Sequence, residues 1–129
     1  MKTYKILFAL LLVVTVAACS PTGDLVREPV YIGETEVSAI LTDPPSISLH
    51  ITGDLPTACH AFNYEYEIAT GRIDVTIFST ISPAATCIQG LSPFDETVEI
   101  SMEGQPDGAY QIYLNGELVG EINLAGAAY

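Results

Sequence analysis

Residues 64–77 read YEYEIATGRIDVTI. Tyr64, Tyr66 and Ile68 alternate with Glu65 and Glu67, and after Thr70-Gly71 the residues Ile73, Val75 and Ile77 alternate with Asp74 and Thr76. A period of two sends successive side chains to opposite faces, so each half is a strand with one buried and one wet face. With Thr70-Gly71 as a two-residue turn, Ile68 meets Ile73, Tyr66 meets Val75 and Tyr64 meets Ile77. A slip of one residue would turn one strand's apolar set outward, so the pattern selects this register. It also places Glu67 opposite Asp74, with Glu65 on the same face.

The same alternation recurs on both sides of this hairpin. Ile47, Leu49 and Ile51 alternate with Ser48, His50 and Thr52, and Val98, Ile100 and Met102 with Glu99 and Ser101. A further strand is expected around Glu34–Leu41 and a weaker one around Thr86–Gly90. Breaks are expected at Asp43-Pro44-Pro45, Gly53-Asp54-Leu55-Pro56, Ser82-Pro83, Ser92-Pro93 and Gly104 to Gly108. Prolines spread this evenly leave little room for a long helix. The expected fold is all-β, an antiparallel β-sandwich of about 7–8 short strands over residues 30–129.

A second hairpin centres on Asn115-Gly116. A three-residue turn, Leu114-Asn115-Gly116 with Gly116 at positive φ, would pair Ile112 with Leu118 and Tyr110 with Gly120, gathering the apolar residues with Ile122. In that register Tyr113 and Val119 point outward, as Phe78 does from the first hairpin. These three form a candidate binding patch, with packing on neighbouring chain as the plainer alternative.

The chain has 129 residues and a net charge of -12, but its start differs from its body. Lys2 and Lys5 precede an apolar stretch from Ile6 to Val16, and Ala17-Ala18 closes it. The stretch is too short to span a bilayer, which takes about 20 residues, and it has the order of a secretory signal. Val16-Ala17-Ala18-Cys19 resembles the bacterial lipobox. That resemblance implies a lipoprotein signal peptide over residues 1–18, cleavage before Cys19, and diacylglycerol and acyl chains (palmitate among them) on Cys19 as a membrane anchor. Residues 19–29 lack alternation and read as a spacer. Ser20 after the cysteine leans towards the outer membrane in a diderm host; otherwise the outer face of the cell membrane is expected.

From Cys19 onward, Arg27 and Arg72 stand against sixteen acids, a charge of -14. Phosphate backbones repel such a body, so no nucleic-acid partner is expected. Setting Cys19 aside leaves Cys59 and Cys87. In an oxidising compartment the expectation is a disulfide between them; two free thiols are the other arrangement the residues allow. Neither lies in a CxxC spacing, so no redox or zinc motif is present.

Catalytic and ligand-binding candidates are few. His60 could act as a general base or metal ligand, but each role needs partners, and His50, the other histidine, lies on a different strand. The plainer reading is a loop histidine bonded to nearby backbone. Glu65, Glu67 and Asp74 could gather around a calcium ion, yet they read equally as a solvated acidic face. No catalytic motif, metal set or cofactor is expected, and the chain reads as a non-enzyme.

Pro106-x-Gly108-x-Tyr110 resembles the start of a late strand in bacterial immunoglobulin-like domains, where a tyrosine ties its hydroxyl to nearby backbone. Together with Leu55-Pro56-Thr57-Ala58-Cys59-His60, Cys87-Ile88, Pro93-Phe94 and Asn115-Gly116-Glu117, it resembles a group of uncharacterised bacterial secreted proteins and lipoproteins across residues 46–124. The resemblance implies a small immunoglobulin-like sandwich with one disulfide and no settled activity. The functional expectation is a membrane-anchored binding or envelope-interaction module for a protein partner. The alternative is a lipoprotein inhibitor of a basic secreted hydrolase, such as a lysozyme or protease.

Overall fold

The computed structural model describes residues 24–124. The expected leader, Cys19 and the start of the expected spacer lie outside them. Eight strands run through the described residues: β1 (Val26–Glu28), β2 (Tyr31–Ile40), β3 (Ser46–Leu55), β4 (Ala61–Ala69), β5 (Arg72–Ile81), β6 (Ser92–Ser101), β7 (Ala109–Leu114) and β8 (Glu117–Asn123). They form two packed sheets. In the larger, β5 is bordered by β4 on one edge; β7 and β1 share its other edge, and β8 lies outside β7. The smaller runs β2-β3-β6. The core is the inward set that alternation marked: Ile47, Leu49 and Ile51 of β3, Ile73, Val75 and Ile77 of β5, and Val98 and Ile100 of β6 are all buried. β-Branched side chains dominate it because they pack well on a pleated surface.

The β4–β5 ladder has the register the sequence selected, with Ile68 opposite Ile73, Tyr66 opposite Val75 and Tyr64 opposite Ile77. The sheet is not wholly antiparallel, however. β5 and β7 pair in parallel, Arg72 to Gln111 through Val75 to Leu114. Two strands far apart in sequence can take either direction, and alternation does not distinguish them.

The last hairpin also differs from expectation. Its turn has two residues, Asn115 and Gly116, with φ of 50° and 84°. Two positive φ values are the signature of the hairpin turn whose twist matches the strands. Tyr113 then faces Leu118, and a bulge at Val119 shifts the ladder so that Ile112 faces Gly120 and Tyr110 faces Ile122. Tyr110, Ile112 and Ile122 share the inward face as expected, but the bulge exchanges the other two: Leu118, expected opposite Ile112, is exposed, and Val119 turns inward.

Four further expectations are altered. β3 runs through Gly53, Asp54 and Leu55. There a Cβ on residue 53 would overlap the Tyr31 carbonyl and press on the Phe94 ring, so glycine allows the close approach. Ser92 and Pro93 begin β6, which pairs only with β3 and can therefore carry a proline on its free side. Thr86–Gly90 is not a strand; the chain leaves the sheet there to bring Cys87 to Cys59. Finally, the spacer read over 19–29 contains β1, which pairs Val26, Arg27 and Glu28 with Ile81, Thr80 and Ser79. The buried Ser79 hydroxyl lies 3.1 Å from the Glu28 carbonyl and 3.3 Å from that of Pro29, fastening the segment.

Asn115 has a second task. β7 leaves β5 after Val75, and β1 joins it only at Ser79. Between them, the Ile77 N–H donates to Asn115 Oδ1 at 2.8 Å and Asn115 Nδ2 donates to the Ile77 carbonyl at 3.1 Å. The carboxamide thus completes the edge as a strand residue would. Asn115→Ala should lose both bonds, at about 1 kcal/mol each, and place alanine at positive φ for about 1 more. Urea unfolding should show a deficit of about 3 kcal/mol. Asn115→Gly, which keeps the turn, should lose about 1 kcal/mol less than alanine.

Candidate functional site

Sulfur joins the two connections at one end of the sandwich. Cys59, between β3 and β4, is bonded to Cys87, between β5 and β6, with a Cα separation of 5.9 Å. Beside this staple lies a buried polar chain. His60 Nδ1 is 2.7 Å from Thr57 Oγ1, and Nε2 is 2.7 Å from Glu28 Oε2. Thr57 Oγ1 also accepts from the Cys59 N–H at 3.3 Å. The Glu28 carboxylate can only accept, so Nε2–H donates to it, and in the neutral imidazole Nδ1 is then the acceptor of the Thr57 hydroxyl. His60 therefore bonds side chains rather than backbone through its ring, and it clasps β1 to the stapled turn. Hydroxyl, imidazole and carboxylate are the members of a nucleophilic triad, but here Thr57 and His60 are both buried. The hydroxyl closes a turn instead of facing an opening.

Across the outer face of the larger sheet, the two arginines serve two carboxylates and two rings. Arg27 donates to Glu65 at 2.8 Å and lies over the Phe78 ring at 3.5 Å. Arg72 grips both oxygens of Asp74 through Nε and lies over the Tyr113 ring at 3.8 Å. Hydrogen bonds from these guanidiniums hold the Glu65 and Asp74 carboxyls below the usual carboxylate range. Their depressed values mean that the stability they contribute is present above the ordinary carboxylate range and fades as pH falls through the folded values. Both carboxyls are exposed, so the contribution is small.

The three patch residues therefore do not form one surface. Phe78 and Tyr113 keep the outward direction expected of them, each under an arginine. Val119 does not: the bulge redirects it against the core. Among the described residues no group of three or more His, Cys, Asp or Glu is arranged to hold a metal ion. His50 pairs with Asp95 at 2.5 Å on the outer face of the smaller sheet. Tyr110 donates its hydroxyl to the Pro106 carbonyl at 2.5 Å, as its motif implied. Sequence reasoning missed Arg27 and Glu28 because their partners are 38 and 32 residues away, and Thr57 because its bond to His60, three residues on, depends on a turn that no alternation marks.

These features define a class: a small two-sheet sandwich, stapled at one end, whose two arginines are held by its own carboxylates. Residues 49–124 match the ORF11 beta-sandwich domain, and the chain belongs to that family. It is similar to the "Uncharacterized 10.2 kDa protein in HgiBIM 5'region" of Herpetosiphon aurantiacus, 34% identical over 73 residues, which cover 56% of this chain and 88% of the relative. It is also similar to the "Uncharacterized 10.2 kDa protein in HgiCIIM 5'region" of the same organism, 36% identical over 73 residues, 56% of this chain and 77% of the relative. No solved structure matches.

Proposed function

We propose that the chain is a bacterial lipoprotein, held at an extracytoplasmic membrane face through acylated Cys19, whose acidic sandwich is a non-enzymatic binding module. The observation that carries this reading is the Cys59–Cys87 bond, since such bonds persist in oxidising compartments. The leader ending in Val16-Ala17-Ala18-Cys19 supports the same location and adds the anchor. Several acyl chains on one residue give stable attachment, each buried methylene contributing about 0.8 kcal/mol. The buried Thr57 hydroxyl, out of reach of substrate, supports a binding role over catalysis. Cys19→Ala should move the protein from the membrane fraction to the soluble or secreted one. Retention of that variant in the membrane would sink the anchor. The charge of -14 also favours a second reading, inhibition of a basic secreted hydrolase. Salt-sensitive binding to lysozyme with loss of its activity would separate the two.

A further inference from the structure

We infer that the outer edge of β4, which pairs with no strand among the described residues, is a docking strand for an extended, cationic segment of a partner polypeptide. The inference rests on the reading of the sandwich as a binding module, and its test is independent of the anchor.

A free strand edge invites another chain to pair with it, and native proteins usually block it. The other outlying strands here carry such blocks. β6 has Pro93, and its Glu96 falls on the inward-facing side of the alternation with Phe94 and Val98 yet stays exposed. β2 has an irregular register between Ile32 and Thr35 and packs on β8, itself bulged at Val119. β1 has three residues. β4 has none of these devices. It is nine residues long, pairs with β5 without a register shift, and has no proline or lysine.

Its side chains say what would pair there. The larger sheet overhangs the smaller, so the inward face of β4 is only partly covered. Tyr64 and Tyr66 are 44% and 41% exposed, although their partners Ile77 and Val75 are 2% and 1% exposed. They form an aromatic shelf along the edge. The opposite face carries Glu65 and Glu67, with Asp74 across from Glu67. Arg27 and Arg72 are the only lysine or arginine side chains from Cys19 onward, and both are engaged by Glu65 and Asp74. Among the described residues no cationic side chain pairs with Glu67, so its charge is open to a cation of another chain. A strand with basic residues on one face and apolar residues on the other satisfies both faces at once, while its backbone extends the sheet. A second copy fits less well: two-fold antiparallel pairing centred on Glu65, Tyr66 or Glu67 sets glutamate against glutamate, and centring on Tyr64 leaves both glutamates without a cation.

The test uses the full-length protein in detergent micelles and an alternating lysine–valine octapeptide as probe. The peptide should bind with salt-sensitive affinity and shift the amide resonances of residues 61–69. Glu67→Lys should weaken binding about tenfold, while Glu96→Lys, with the same charge change on the blocked edge, should leave it within about twofold. An alternating glutamate–valine peptide should not bind. Equal losses from both variants, equal binding of the acidic peptide, shifts confined to other strands, or no binding would each overturn the inference. So would a concentration-dependent dimer paired through β4. Failure here with Cys19 found acylated would remove the docking strand and leave the anchor untouched.

Discussion

Gly53→Ala should cost the protein a large part of its stability. A Cβ there would overlap the Tyr31 carbonyl oxygen and come within 2.9 Å of two atoms of the Phe94 ring. The ring could tilt, but it is buried against Phe62, with centroids 5.2 Å apart. The carbonyl cannot move alone, because Ile32, the residue after Tyr31, is paired with Gly53 itself. Relief requires β2 and β3 to separate where they hold the small sheet together. Overpacking of this kind usually costs 1–3 kcal/mol, and a clash with backbone lies at or above the upper end, about 3 kcal/mol or more. Domains of this size have about 5–15 kcal/mol in all, so the variant should still fold but melt cooperatively at a clearly lower temperature. Gly104→Ala is the control. Its Cβ would meet nothing within 4 Å, and only the positive φ of 75° opposes it. It should lose about 1 kcal/mol. Equal melting temperatures for Gly53→Ala and the parent protein would show that this close approach is not needed.

Removing the staple should have the next largest effect. The bridge joins residues 28 apart. Chain entropy for a loop of this length gives about 3–4 kcal/mol of stabilisation, through restriction of the unfolded chain. The double variant Cys59→Ala, Cys87→Ala should lower unfolding free energy by that amount in urea. Reduction of the parent protein should lower it equally. The local consequence is more particular. Cys59 sits between Thr57 and His60, so freeing it loosens the turn that presents His60 to Glu28. Amide exchange should therefore quicken in β1 more than in the β3–β6 ladder of the unstapled protein. Uniform acceleration across both would mean that the turn holds its shape without the sulfur.

The contrast between β4–β5 and β7–β8 shows how much sequence can carry. Both hairpins follow from alternation and a glycine turn. In the first, every apolar partner falls into place with an unbroken ladder, so the pattern alone fixes the register. In the second, a longer turn and a bulge both keep Tyr110, Ile112 and Ile122 together but differ in whether Leu118 or Val119 joins them, and the choice depends on what lies beside the hairpin. Asn115 bonded to Ile77 needs φ and position that the two-residue turn supplies. That partner is 38 residues away. β1 was hidden for the same reason. Three residues hold no period, and its attachments to Ser79 and His60 are contacts of the folded chain. The outward direction of Phe78 and Tyr113 was legible; the arginines covering them were not. The pairing of Cys59 with Cys87 was legible by counting once Cys19 was assigned to the anchor, and the two cysteines are bonded.

The most direct test is the intact mass of the membrane-extracted protein, taken without reduction. The account predicts a chain beginning at Cys19, heavier than its peptide by a diacylglyceryl group and an acyl chain. It should also be lighter by two hydrogens for the Cys59–Cys87 bond, with no thiol open to alkylation. A chain that retains Met1, or one that carries Cys19 unmodified, would contradict it.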